Sequence, residues 1–185
     1  MKASKTKKTT FWSDVRARLT HFDHDGLVGL VHDLYTANKD NQVFLHARFG
    51  LGENVLAPYK VTINRWLWPD MFRNQNASVA EAKKSIASYK KAIGHPEGLA
   101  ELMVFYCERA SGFSAEVGLQ DEGFFIALVR MFEHALQAIA RLPDAEQPLL
   151  MERLDAVCQI SRNIGYGVED AMRDLLVEYG KCFRR

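Results

Sequence analysis

The chain is expected to be all-α: a compact multi-helix bundle, or a short irregular stack of antiparallel helical hairpins, with about nine helices. Three observations predict this. Apolar residues recur at i, i+3, i+4 and i+7 along nearly the whole length. No stretch alternates apolar and polar residues with the β-branched enrichment of a strand. Pro, Gly and Asx residues separate the periodic segments by about two to eight residues, and connections this short favour antiparallel neighbours.

The elements follow in order. A short helix over about 11–21 places Phe11, Val15 and Leu19 at successive i+4 steps. The next, about 25–37, carries a single stripe of Leu27, Leu30, Val31, Leu34 and Tyr35, with Asp23 or Asp25 as its cap. Asn38-Lys39-Asp40-Asn41 reads as a polar turn, and Phe44, Leu45 and Phe49 as a third helix ending near Gly50 or Gly52. A fourth, about 53–68, has Pro58 in its first turn and Pro69 as its stop. Ser78 and Glu81 form a capping-box pair ahead of Val79, Ala82, Ile86, Tyr89 and Ile93, and Gly94 closes that helix.

Pro96 suits the first position of a long helix to about residue 117, ended by Gly118. The following segment, about 121–141, is apolar over so wide an arc that it should be the central buried helix. Asp144 and Gln147 form a second capping-box pair for a helix running to Gly165, and a last helix covers about 168–179.

With 48% hydrophobic residues in a chain of 185, one soluble core is affordable, so 11–185 is read as a single helical domain behind a flexible basic tail, 1–10. No apolar run approaches the roughly 18 residues of a membrane span. Cys107, Cys158 and Cys182 are an odd, widely spaced set and read as reduced thiols, which implies the cytoplasm. The net charge of +1 hides a split: residues 1–95 carry 15 Lys and Arg against 8 Asp and Glu, or +7, and 96–185 carry 9 against 15, or −6. Such a split serves either an anionic partner or attraction between the two halves.

Leu30-Val31-His32-Asp33-Leu34-Tyr35, followed by Asn38-Lys39-Asp40-Asn41, Phe44-Leu45 and Ala47-Arg48-Phe49, resembles the N-terminal signature of a bacterial family of small all-helical proteins known as a domain of unknown function. Ala82-Lys83-Lys84-Ser85-Ile86 with Tyr89-Lys90-Lys91-Ala92, and Pro96-Glu97-Gly98-Leu99-Ala100-Glu101-Leu102-Met103, are similar to later blocks of the same family. The resemblance spans about 26–179 and implies the fold and a bacterial origin. It carries no activity across.

Three constellations could hold chemistry. His21-Phe22-Asp23-His24-Asp25 is dense in metal-ligand types, but its Asp residues suit the cap of the helix that follows, and with no Cys-x-x-Cys or His-x-x-x-His pair elsewhere no metal site is expected. Glu101 and Glu108, with Glu97, Tyr106 and Arg109 near them, and Glu133-His134 on the next helix are the catalytic candidates, for acid–base or metal-dependent work between helices. Their structural alternative is a solvated or internally paired helix face. Lys83, Lys84, Lys90 and Lys91 are the nucleic-acid-binding candidates, since lysines doubled at i and i+7 give one helix a positive face. Lys60, Arg65, Trp66, Trp68 and Arg73 surround them in sequence, and Trp68 could stack on an unpaired base. A pI near 7.8 is low for a dedicated binder.

Nucleophile-elbow and phosphate-loop motifs are missing, and no cofactor is expected. The leading expectation is therefore a non-enzymatic helical module that binds another protein through a groove or helix face, a mode that leaves no motif. The alternatives are a nucleic-acid-associated protein using the basic helix face, and a metal-dependent enzyme using Glu101, Glu108, Glu133 and His134.

Overall fold

The computed structural model describes residues 11–52, 54–73 and 75–180; the basic tail 1–10 and Cys182 lie outside the described residues. Among them are nine α-helices, two 3-10 turns and no strand, in agreement with an all-α multi-helix bundle. The helices are α1 (Trp12–Leu19), α2 (His24–Ala37), α3 (Lys39–Arg48), α4 (Ala57–Leu67), α5 (Val79–Ala92), α6 (Pro96–Val117), α7 (Glu122–Ile139), α8 (Gln147–Ile160) and α9 (Val168–Gly180). The 3-10 turns are Met71–Arg73 and Ser161–Asn163.

Local chemistry sets most ends. Asp23 caps α2, its Oδ1 accepting from the Gly26 N–H at 2.8 Å. Ser78 and Asp121 do the same for α5 and α7, accepting from Glu81 and Phe124. Pro96 occupies the first turn of α6, and Gly118 ends it in the left-handed conformation at φ 63°. Several boundaries differ from the sequence reading: α4 starts at Ala57 instead of about residue 53, and α8 ends at Ile160, short of Gly165, with the 3-10 turn after it. The polar run Asn38 to Asn41 is the first turn of α3, because the Asn38 Oδ1 accepts from the Asp40 N–H and caps a helix instead of closing a turn. The Asp144–Gln147 box does not form: Gln147 instead donates to the Leu142 carbonyl, and α8 starts at Gln147 with Pro148 in its first turn.

The chain divides into two units, 1–45 and 46–185, a finer division than the single domain read from the sequence. In the larger unit α6 packs on α4, α5, α7 and α8, while α4 also packs on α5, and α7 on α8 and α9. The expected central helix, α7, is heavily buried, with Phe125, Leu128, Phe132, Leu136 and Ile139 in the core. The middle position nevertheless belongs to α6, whose Leu102, Val104, Tyr106 and Cys107 are fully buried because its 22 residues meet helices on several sides. Each such aliphatic or aromatic side chain contributes roughly 1.5–3 kcal/mol by burial.

In the smaller unit no described side chain is buried. Its helices are tied locally, the Asn41 amide donating to the Leu34 carbonyl at 2.7 Å. Among the described residues no helix is long and apolar enough to cross a membrane.

Candidate functional site

Glu101 and Glu108 are two turns apart on α6 and face Arg153 of α8, a residue the sequence reading did not single out. The Arg153 Nε and Nη2 donate to the two Glu108 carboxylate oxygens at 2.7 and 2.9 Å. Its Nη1 and Nη2 donate to Glu101 at 2.5 and 3.2 Å. Lys60 of α4 completes the group, its Nζ donating to the Glu101 Oε1 at 2.6 Å while lying 5.3 Å from the centre of the Phe105 ring.

Two cations and two anions thus join α4, α6 and α8. Burial pushes the Glu101 carboxyl up, but hydrogen bonds and charge from Arg153 and Lys60 outweigh it and hold the group below its ordinary range. A carboxylate held ionised and occupied by two cations is a poor proton donor, so this arrangement is a clamp between helices.

Glu133 and His134 are not brought to that clamp. The Glu133 carboxylate accepts from Gln137 at 3.1 Å, and Gln137 donates to the Tyr179 hydroxyl at 2.9 Å, so Glu133 takes part in an α7–α9 contact. His134 is exposed. Among the described residues no group of three or more His, Cys, Asp or Glu side chains is placed to hold a metal ion. Of the four candidate residues, Glu101 and Glu108 thus share the clamp, while Glu133 faces Gln137 on α7. In the 21–25 cluster, the Asp23 carboxylate is engaged as the α2 cap.

The basic and aromatic residues separate into two groups. Arg65 lies over the Trp66 ring at 4.6 Å, and Arg73 pairs with Asp70 at 3.3 Å. Trp68 carries Arg109 on its face at 4.0 Å, leans on Phe113, and fills a notch left by Gly112, where a Cβ would come within 2.7 Å of the ring. That indole is half-buried, with Arg109, Phe113 and Gly112 against it. On α5, by contrast, Ala82, Ile86, Tyr89 and Ala92 are buried, Lys84, Lys90 and Lys91 are exposed and Lys83 is half-buried. Lys84 pairs with Glu81 of its own turn at 2.5 Å; no ion pair joins the other three among the described residues. Lys90 and Lys91 also sit in the last turn, where positive charge favours the helix dipole.

Two further features are open to a ligand or partner. The first is an apolar stripe in the smaller unit: Leu27, Val28, Val31 and Leu34 of α2 are all exposed, as are Trp12 and Val15 of α1. The second is a cleft of about 580 Å³ in the larger unit, where the ends of α3 and α5 and the start of α6 meet. The Arg48 Nη1 donates to the Ala92 carbonyl at 3.1 Å, which holds the guanidinium at the cleft. Tyr89 lines it at 3% exposure, and its hydroxyl lies against Gly98, where a Cβ would be 2.0 Å away. Burial first, then the charge of Glu97, pushes the Tyr89 phenol up, so it is a donor at neutral pH. No side chain caps the α6 N-terminus at His95. Sequence periodicity marked Tyr89 only as core, and it did not mark Arg48, because the cleft joins two segments, 47–56 and 89–98, that are distant in the chain.

Neither described cysteine is reactive by environment. Cys107 is fully buried, and burial raises its thiol pKa well above the ordinary value; burial also raises that of Cys158. No family model, curated protein or solved structure matches the chain.

Proposed function

We propose that this protein is a helical interaction module that presents the apolar stripe of α2 to another protein, without catalysis of its own. The observation that carries this reading is the exposure of Leu27, Val28, Val31 and Leu34 on one short amphipathic helix. A helix of 14 residues gains most of its stability from packing an apolar face, and a contiguous exposed patch of that kind on a soluble domain is a contact surface. Residence in the bacterial cytoplasm accords with the buried, unpaired thiols. Tagged full-length protein, returned to a bacterial cytoplasm and recovered after nuclease treatment, should retain a specific protein partner, and Val31→Asp with Leu34→Asp should release it without lowering the thermal transition of the larger unit.

A second reading, association with nucleic acid, is supported by exposed Lys90 and Lys91 and half-buried Lys83 of α5, none of which is in an ion pair among the described residues. It requires a salt-dependent mobility shift with single-stranded or duplex nucleic acid that is lost when Lys83, Lys84, Lys90 and Lys91 are all changed to Glu. Absence of that shift at low salt excludes it.

A further inference from the structure

We propose that the cleft between the ends of α3 and α5 and the start of α6 binds a small organic acid, taking its carboxylate between Arg48 and the first turn of α6 and its apolar body against Leu56 and Ile93. Four observations converge on that chemistry. The volume, about 580 Å³, falls within the roughly 300–1,000 Å³ usual for small-molecule sites. Pro96 at the first position of α6 has no N–H, the Leu99 N–H returns to the His95 carbonyl, and no side chain caps the Glu97 and Gly98 N–H groups between them. Those groups and the positive end of a 22-residue helix favour an anion.

Arg48 adds a fixed positive charge. Its bond to the Ala92 carbonyl uses Nη1 and leaves the remaining guanidinium donors for a planar, two-oxygen acceptor. The independent observation is Tyr89. Its side chain is 97% buried by its 3% exposure, it lines the cleft, and its hydroxyl makes no hydrogen bond among the described residues although it is pressed onto the first turn of α6 at Gly98. The hydroxyl therefore stands as a free donor in the cleft wall, and an anion at the α6 N-terminus supplies its acceptor.

Glu97 limits the class of anion. Its carboxylate lines the same cleft, so a second negative charge on the ligand would be repelled, which favours a monocarboxylate over phosphate. The wall formed by Leu56 and Ile93 favours an apolar remainder, such as an aryl or branched aliphatic group.

The test is a titration of the full-length, isotope-labelled chain with benzoate, benzamide and inorganic phosphate, followed by amide NMR. Saturable shifts of the Glu97 and Gly98 amides with benzoate, absent with its neutral amide, are expected. Arg48→Gln, at an exposed position, should weaken benzoate at least about tenfold, and Tyr89→Phe should weaken it several-fold with the thermal transition retained. Lack of benzoate binding, equal shifts with benzamide, stronger shifts with phosphate, or unchanged affinity in Arg48→Gln would each overturn the assignment. The comparison of the three probes on the unaltered protein decides the matter even if a variant fails to fold.

Discussion

Arg153 holds Glu108 in a two-bond fork, Nε to Oε1 at 2.7 Å and Nη2 to Oε2 at 2.9 Å, and the same guanidinium reaches across to Glu101. One planar cation therefore spans two turns of α6 from α8, a geometry that lysine cannot reproduce. Arg153→Met should lower the unfolding free energy by about 2 kcal/mol, because it leaves Glu108 without its partner and Glu101 with only Lys60. Arg153→Lys should recover less than half of that loss. Urea unfolding of the three proteins at neutral pH measures both.

The same clamp sets a direction for acid sensitivity. Glu101 is held below its ordinary value of 4.5, so it binds its proton more readily in the unfolded chain than in the folded one. Its contribution is complete above about pH 4.5 and is lost as pH falls through the lowered value. Glu101→Gln should flatten that part of the stability profile, and Arg153→Met should move the acid loss to higher pH. Identical profiles for Glu101→Gln and the unaltered protein below pH 5 would argue against the clamp.

Gly112 owes its identity to a neighbour. The Trp68 ring occupies the space a Cβ would need and bears Arg109 over its face. Gly112→Ala should cost about 1–3 kcal/mol by overpacking, despite the higher helix propensity of alanine. A change in tryptophan fluorescence should accompany the loss; an unchanged or raised thermal transition would mean that the ring moves aside freely.

Burial predicts the thiol chemistry. Iodoacetamide under native conditions should leave Cys107 and Cys158 unmodified, and both should react fully in denaturant. Peptide mass spectrometry reads each site separately. Rapid native alkylation of Cys107 would contradict a core in which its side chain has no exposure.

Much of the fold was legible because helix formation is local. The stripe of Leu99, Leu102, Met103 and Tyr106, opened by Pro96 and closed by Gly118, needed no knowledge of what lies across from it. Asn38 shows the limit: an Asx residue caps helices and closes turns by the same bond to a nearby N–H, and only the chain beyond decides which. Glu101 and Glu108 were found as an i, i+7 pair on one face, but their partners lie 41 to 52 residues away on α4 and α8. Sequence order suggested α7 as their neighbour, and although α7 does pack on α6, Glu133 turns toward Gln137 and Tyr179. Arg48 and Tyr89 meet at a cleft that no local pattern encodes. The α2 stripe was legible as apolar; that it lies uncovered is a tertiary fact.

The central claim, that the α2 stripe is a protein-binding surface, is tested most directly by quantitative capture after nuclease treatment, comparing the unaltered full-length protein with Val31→Asp/Leu34→Asp. A defined protein should be recovered in near-constant ratio with the unaltered chain and lost with the double variant, while both show the same helical content. Recovery of the same proteins with both chains, or of nothing that survives nuclease, would contradict it.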